Sequence, residues 1–254
     1  MIDIHCHILP GVDDGPAEMS EAIELAEHAV QEGITTIIAT PHHNSRYSNN
    51  KSKILDEVQR LNKALTDRNI PLNVLPGQEI RIIGEFLNAY ETDELLTVNN
   101  GNQYVLVELP FSEVPHYTEQ LLFDIQLKGL VPVIVHPERN TELMNNPDRL
   151  YKLVKNGALT QITSGAYVGK LGRKVKSFSR KIIEHNLAHF IASDAHDIHK
   201  RGFYLRQAYE QIQKEFGTST RYYFEENAEL LTAGKNVMKE VPEKFKKRSF
   251  AWFS

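Results

Sequence analysis

Tyr104-Val105-Leu106-Val107-Glu108-Leu109 and Val131-Pro132-Val133-Ile134-Val135-His136 are short, apolar, β-branched runs, each with a Glu or His at its C-terminal end. Both read as strands. Between them, residues 115–128 are helical. Leu121, Leu122 and Ile125 face inward, Pro115 sits where a first turn tolerates it, and Gly129 stops the helix. Strand, helix and strand in this order form a βαβ unit with parallel strands and a right-handed crossover. The same unit repeats outward in both directions. Further strands are expected at 2–6, 35–40, 72–79, 159–164 and 188–193. Further helices are expected at 20–32, 52–67, 147–156, 173–186, 203–216 and 225–233. Ser20 can cap the first of these and Gly33 follows its end. Seven such units in 254 residues give about 36 residues each, close to the spacing of a β/α barrel. No linker divides the chain, so residues 1–234 are read as one domain and 235–254 as an appended tail.

Composition narrows the function. Lys plus Arg is 29 and Asp plus Glu is 33, a net charge of −4, which argues against a general nucleic-acid binder. Cys6 is the only cysteine, so no intrachain disulfide can form and a reducing, cytoplasmic setting is expected. The N-terminus lacks the basic and apolar segments of a signal peptide, and no apolar run approaches a bilayer span.

The chemistry lies in where the polar residues fall. His5 and His7 end the first strand, His42 follows the second, Glu79 ends the third, Glu108 the fourth and His136 the fifth. Asp194 and His196 follow the seventh. Barrel active sites form at the C-terminal ends of the strands, so these side chains are expected to converge on one mouth. Residues two apart on a strand share a face, which puts His5 with His7 and turns Cys6 away. One strand-end His or Asp is ordinarily a loop cap. Six strand ends of seven carrying such groups instead point to metal binding, because converging carboxylates and imidazoles are costly to bury without cations. Competing phosphate chemistries lack their signatures. Position 12, six residues past Cys6, is Val12, where a cysteine phosphatase needs Arg, and there is no Gly-Lys-Ser/Thr phosphate loop. His196-Asp197 follows an apolar strand and is not a helical metal dyad. His28, His185 and His189 read as structural, while His43, His116 and His199 lie near the mouth by sequence.

Several segments together carry a family resemblance. They are Ile4-His5-Cys6-His7-Ile8-Leu9-Pro10, Asp13-Asp14-Gly15, Ala39-Thr40-Pro41-His42-His43, Pro76-Gly77-Gln78-Glu79-Ile80-Arg81, Glu108-Leu109-Pro110-Phe111, His136-Pro137-Glu138-Arg139-Asn140, Gln161-Ile162-Thr163-Ser164-Gly165 and Ala192-Ser193-Asp194-Ala195-His196. Through them the chain resembles the PHP (polymerase and histidinol phosphatase) superfamily. Within it, the chain is similar to the bacterial manganese-dependent protein-tyrosine phosphatases of capsule and exopolysaccharide clusters. The resemblance implies a distorted (β/α)7 barrel, an α/β fold, with three divalent ions, Mn²⁺ in preference to Fe, Zn or Mg. It implies nine metal ligands: His5, His7, His42, Glu79, Glu108, His136, Asp194, His196 and Asp14, the choice of Asp14 over Asp13 resting on the family alone. His5, His7, Glu79 and Asp194 would hold one ion, Glu79, Glu108 and His136 the second, and Asp14, His42 and His196 the third. Arg139 and Arg206 are expected to bind the phosphate and assist catalysis. The implied reaction is hydrolysis of phosphotyrosine by direct attack of metal-activated water, without a covalent intermediate. A small phosphomonoester such as histidinol phosphate is the alternative substrate. The implied partner is a membrane-associated bacterial tyrosine kinase. The tail carries Lys235, Lys239, Lys244, Lys246, Lys247 and Arg248 against Glu240 and Glu243, with Phe245, Phe250, Trp252 and Phe253. It is read as a possible peripheral contact with the membrane or kinase.

Overall fold

The computed structural model describes residues 1–245. Among the described residues are nine strands: β1 (Ile2–Cys6), β2 (Thr36–Ala39), β3 (His42–His43), β4 (Asn73–Pro76), β5 (Glu79–Arg81), β6 (Tyr104–Glu108), β7 (Val131–Val135), β8 (Leu159–Thr163) and β9 (Phe190–Ala192). Every pairing between them is parallel. They form a sheet β1-β2-β4 and a sheet β3-β5-β6-β7-β8-β9. The expected strands at 35–40 and 72–79 are each broken in two. Pro41, which has no N–H to give a ladder, interrupts one, and Gly77-Gln78, just past Pro76 at the end of β4, interrupt the other. Gly77 is required there: a Cβ would lie 2.6 Å from Ile38 Cγ2. Counting β2/β3 and β4/β5 as kinked single staves restores the seven. The barrel closes where Cys6 bridges Ala195 in parallel and Asp194 N–H donates to His5 O at 2.8 Å.

Among the described residues ten α-helices pack around and below the staves: α1 (Met19–Gln31), α2 (Lys51–Asp67), α3 (Phe86–Glu91), α4 (Thr118–Leu127), α5 (Thr141–Asn145), α6 (Pro147–Lys155), α7 (Ser164–Val168), α8 (Arg173–Glu184), α9 (Leu205–Phe216) and α10 (Thr218–Thr232). The short α3, α5 and α7 carry too few turns for a periodic signal. In α2 the buried Ile54, Val58, Leu61 and Leu65 form the stripe facing the sheet, and Asn50 Oδ1 accepts Lys53 N–H at 3.0 Å to cap its start. Ser20 does not cap α1. Glu21 instead reaches back to accept Ala17 N–H at 2.6 Å. Gly33, at φ +82°, ends that helix as expected.

Two apolar layers result. Ile4, Ile38, Leu106, Val133, Val135, Leu159 and Phe190 fill the barrel, and Ala228 and Leu231 of α10 pack into the same cluster. Alternate strand residues such as Val105, Val107 and Ile134 face the helices instead. The chain after α10 continues across the barrel. Tyr104 O–H donates to Lys235 O at 2.6 Å, and Asn227 exchanges bonds with Met238. Glu243 N–H reaches His185 O, and Phe245 stacks on His185. Residues 235–245 are therefore laid against the barrel and do not leave it at 235. Lys246, Lys247, Arg248, Phe250, Trp252 and Phe253, which carry most of the expected membrane contact, lie outside the described residues. Among the described residues no helix is long and apolar enough to cross a membrane.

Candidate metal centre

The barrel's C-terminal mouth is where the strand-end residues meet. In β1 the register with β2 slips between Asp3 and Cys6. A slip exchanges the faces of the residues that follow. Cys6 thereby joins the helix-facing core, with its Sγ near Ala195 O, while His5 and His7 turn into the mouth. His42 lies on β3, Glu79 opens β5, and Glu108 ends β6. His136 follows β7, and Asp194 and His196 follow β9. His136 and Asp194 both adopt left-handed backbone, φ 35° and 53°, at the point where each chain leaves its strand. Non-glycine residues rarely hold this conformation, and it concentrates at functional sites.

Glu79 is the centre of the cluster. Its Oε1 lies 2.8 Å from His136 Nε2 and 3.6 Å from His5 Nε2. Its Oε2 lies 2.6 Å from His42 Nδ1 and 3.3 Å from His7 Nε2. Asp194 Oδ1 is 3.5 Å from both His5 Nε2 and His7 Nε2. Asp14 Oδ1 stands 3.3 Å from His42 Nε2 and 3.3 Å from His196 Nε2. Three sets of donor atoms are compact enough to share an ion: His7, Asp14, His42 and His196; His5, His7 and Glu79; and His42, Glu79 and Glu108. These keep the cores of the expected division, but His7 also stands with the Asp14 set, His42 stands with Glu79 and Glu108, and His136 and Asp194, which touch the cluster through Glu79 and through His5 and His7, fall in none of the three.

The two adjacent aspartates are now distinguished. Asp13 accepts from His7 Nδ1 at 2.7 Å, from Gly15 N–H and from His42 N–H. Asp14 faces the imidazoles. Asp13 thus supports a donor side chain, as do Gln161 Oε1, 2.8 Å from His5 Nδ1, and Asp194 O, 2.9 Å from His196 Nδ1. Each acceptor holds an Nδ1–H and leaves Nε2 with its lone pair pointing into the mouth.

Those lone pairs need a partner. His5 Nε2 and His7 Nε2 face each other at 3.2 Å, an arrangement that repels unless a cation or proton lies between them. Among the described residues, His42 Nδ1, Glu79 Oε2, Glu108 Oε2 and His196 Nε2 are buried with polar neighbours at 2.6–3.3 Å, yet none of these contacts has the angles of a hydrogen bond. Divalent cations fit this donor set, and its mixture of O and N without thiolate suits Mn, Fe, Zn or Mg. Burial pulls His136 and His196 down to about 4, toward the neutral form that binds a metal, whereas the carboxylates around His5, His7 and His42 outweigh burial and push all three up, so in the metal-free cluster these imidazoles carry positive charge that a dication would replace. Burial, together with the charge of Glu79, pushes Glu108 up to about 7. Burial opposes ionisation of Glu79 as well, but His5, His136 and His42 outweigh it and hold its carboxyl well below the usual range.

Three guanidinium groups ring these ligands. Arg139 Nη1 is 2.7 Å from Asp194 Oδ2, as the turn Pro137–Arg139 brings it back over the mouth. Arg81 Nε is 3.0 Å from Glu108 Oε2. Arg201 reaches Asp194 Oδ1 at 3.3 Å and Asp14 Oδ2 at 3.2 Å. Arg206 is not among them. It points away along α9, its Nε and Nη2 donating to Glu32 O and Gln31 O at 3.0 Å each, and so caps the C-terminal end of α1. The expectation for Arg206 is corrected: the guanidinium at the mouth from this part of the chain is that of Arg201. Two signals could have found the missed arginines. Arg81 is two residues past Glu79 on one strand, and Arg201 is nearer in sequence to His196 than Arg206 is. His43, His116 and His199 belong to none of the three donor sets; His43 Nδ1, for instance, is tied to Asn49 O.

Comparison with known proteins agrees with this architecture. The family described as "Capsular polysaccharide synthesis, CpsB/CapC" matches residues 1–232. The chain belongs to the CpsB/CapC family. It is 48% identical over 254 residues to the tyrosine-protein phosphatase YwqE of Bacillus subtilis, covering 100% of both chains. It is 39% identical to the putative tyrosine-protein phosphatase CapC of Staphylococcus aureus, over 100% of this chain and 99% of that one. The tyrosine-protein phosphatase CpsB of Streptococcus pneumoniae is 31% identical over 85% of this chain and 91% of its own. A crystal structure of YwqE, described with CpsB as a unique metal-dependent tyrosine phosphatase, superimposes with a TM-score of 0.95 over 97% of this chain and 100% of that one. The expected α/β barrel is therefore a fold that this CpsB/CapC chain shares with YwqE.

Proposed function

We propose that this CpsB/CapC chain is a metal-dependent protein-tyrosine phosphatase. The observation that carries the reading is the convergence of four carboxylates, five imidazoles and three guanidinium groups on one barrel mouth, in a chain similar over its full length to YwqE. The nine residues His5, His7, Asp14, His42, Glu79, Glu108, His136, Asp194 and His196 would hold three divalent ions, Mn²⁺ by family preference. Such ions supply Lewis acidity to a water and to the phosphoryl oxygens, so that no covalent enzyme intermediate is needed. The chain's own residues do the rest. Arg139 and Arg201 flank the carboxylate of Asp194 and present N–H donors where a phosphoryl group would sit. Their planar forks suit a dianion and neutralise charge as it builds. Gln161, Asp13 and the Asp194 carbonyl keep His5, His7 and His196 in one tautomer. The departing tyrosyl oxygen, with a phenol pKa of about 10, leaves with less help from an acid than a serine alkoxide would.

Phe111 accounts for the preference for a tyrosyl ring. Its side chain is exposed at the mouth, 5.9 Å from the His136 ring, with the Arg139 guanidinium 4.6 Å from its own centroid. A phenyl ester can lie against this ring while its phosphate reaches the arginines. The substrate we propose is a phosphotyrosine protein, specifically a membrane-associated bacterial tyrosine kinase, with residues 246–254 contributing to its approach. Undiminished co-sedimentation with anionic vesicles after deletion of 246–254 would remove the tail's share.

The reading is tested with Mn²⁺-loaded protein on a phosphotyrosyl peptide, the matching phosphoseryl peptide and histidinol phosphate. Phosphotyrosine is expected to be turned over best. Phe111→Ala should lower kcat/KM about tenfold for the phosphotyrosyl peptide and leave the phosphoseryl one nearly unchanged. Faster turnover of histidinol phosphate than of phosphotyrosine would assign the site to a small phosphomonoester.

A further inference from the structure

A second cleft opens beside the metal centre. It encloses about 170 Å³, and its walls include Thr163, Lys170, Leu171, Lys200 and Tyr204. Arg139, Asp194 and Arg201 border both this cleft and the main mouth, so a ligand held at the arginines has the cleft directly alongside.

Three features point to what the cleft takes. The first is place. The cleft shares Arg139 and Arg201 with the mouth, so it lies where a residue next to a seated phosphotyrosine would fall. The second is charge. Lys170 holds its ammonium 4.7 Å from the Tyr204 ring centroid. Lys200 sits on a loop fastened by Asp197, whose carboxylate accepts the N–H groups of His199, Lys200 and Arg201. The one carboxylate bordering the cleft, that of Asp194, is already engaged by Arg139 and Arg201, so the unspent charge is positive. The third is the apolar wall. Leu171 is 45% exposed and stands with Tyr204 as a surface for methylene groups.

We propose that this cleft binds an acidic side chain, Glu or Asp, one or two residues from the phosphotyrosine in a polypeptide substrate. The assignment rests on the protein-tyrosine phosphatase reading. An extended chain advances about 3.3–3.6 Å per residue, so a near neighbour of the phosphotyrosine falls beside the arginines when the phosphate is seated. Its methylenes cover Leu171 and Tyr204, and Lys170 and Lys200 close over its carboxylate on their flexible stems. A basic neighbour is repelled by the same lysines, which makes the cleft a device for choosing among phosphotyrosines.

The test uses the Mn²⁺-loaded full chain and two phosphotyrosyl peptides that differ only in Glu or Gln at the positions flanking the phosphotyrosine. Para-nitrophenyl phosphate serves as the small substrate. The wild type should favour the Glu peptide in kcat/KM by roughly three- to tenfold at low ionic strength, and less as salt rises. The double variant Lys170→Gln/Lys200→Gln should lose that preference and hydrolyse para-nitrophenyl phosphate at the wild-type rate. Equal kcat/KM for the two peptides on the wild type overturns the proposal, as does an undiminished preference in the double variant. Hydrolysis of the nitrophenyl ester with neither peptide turned over would overturn the protein-phosphatase reading and the cleft assignment with it.

Discussion

Replacing Glu79 by Gln is expected to remove metal and activity together. Glu79 is fully buried and both of its oxygens face imidazoles, from His5 and His136 on one side and His7 and His42 on the other. It is also a member of two of the three donor sets. An amide of the same size keeps the packing but withdraws the negative charge that sets of neutral imidazoles need to hold a dication. Metal-derived stabilisation of a phosphoryl transition state is worth several kcal/mol, so kcat/KM should fall by roughly 10³-fold or more. Elemental analysis should show fewer ions per chain than in the wild type. Exhaustive chelation of the wild type should reproduce the loss, and Mn²⁺ should restore activity to the wild type only. A Glu79→Gln variant that retains a full complement of metal and normal turnover would contradict the role assigned to this carboxylate.

Arg201→Ala and Arg206→Ala should separate cleanly. Arg201 reaches two carboxylates of the metal centre, whereas Arg206 holds the terminal carbonyls of α1. Loss of a charged contact to phosphate costs about 1.5–3 kcal/mol, so Arg201→Ala is expected to reduce kcat/KM by roughly ten- to a hundredfold with metal still bound. Arg139→Ala, removing the guanidinium 2.7 Å from Asp194, should behave in the same way. Arg206→Ala should leave turnover near normal and cost about 1 kcal/mol of stability through the lost helix cap, a fall of about 2–4 °C in Tm. Normal turnover in Arg201→Ala together with collapse in Arg206→Ala would restore the expectation drawn from sequence order alone.

That reversal shows how far sequence order reaches. Five of the seven staves were legible as unbroken apolar runs because strand residues are contiguous, and the order strand–helix–strand allows only one handedness of crossover. Eight of the nine candidate ligands could be found without a family comparison because six stand at or just past the C-terminal end of a strand and His42 and Glu79 open the short segments that prolong two staves, and a parallel barrel brings all these positions to one mouth. Asp14 could not. It lies in the loop after β1, beside a second aspartate of identical chemistry, and nothing local distinguishes them. Only the fold does so, by placing Asp13 against His7 Nδ1 and Asp14 between His42 and His196.

The breaks at Pro41 and Gly77 were written in the sequence as residues without a ladder N–H or without a side chain. That two halves of one stave would join different sheets was not, because pairing partners are chosen across the barrel. The sequence by itself determined the repeating unit, the mouth and the chemical nature of the donors, since these follow from local periodicity and residue type. The tertiary structure alone decided which arginine faces the mouth, which aspartate supports His7 and which faces the imidazoles, and that Thr163, Lys170 and Lys200 share a cleft. The reason is physical: a loop's path, and with it the direction of an arginine six bonds from its backbone, depends on contacts with segments far away in the chain, and no local pattern carries that information.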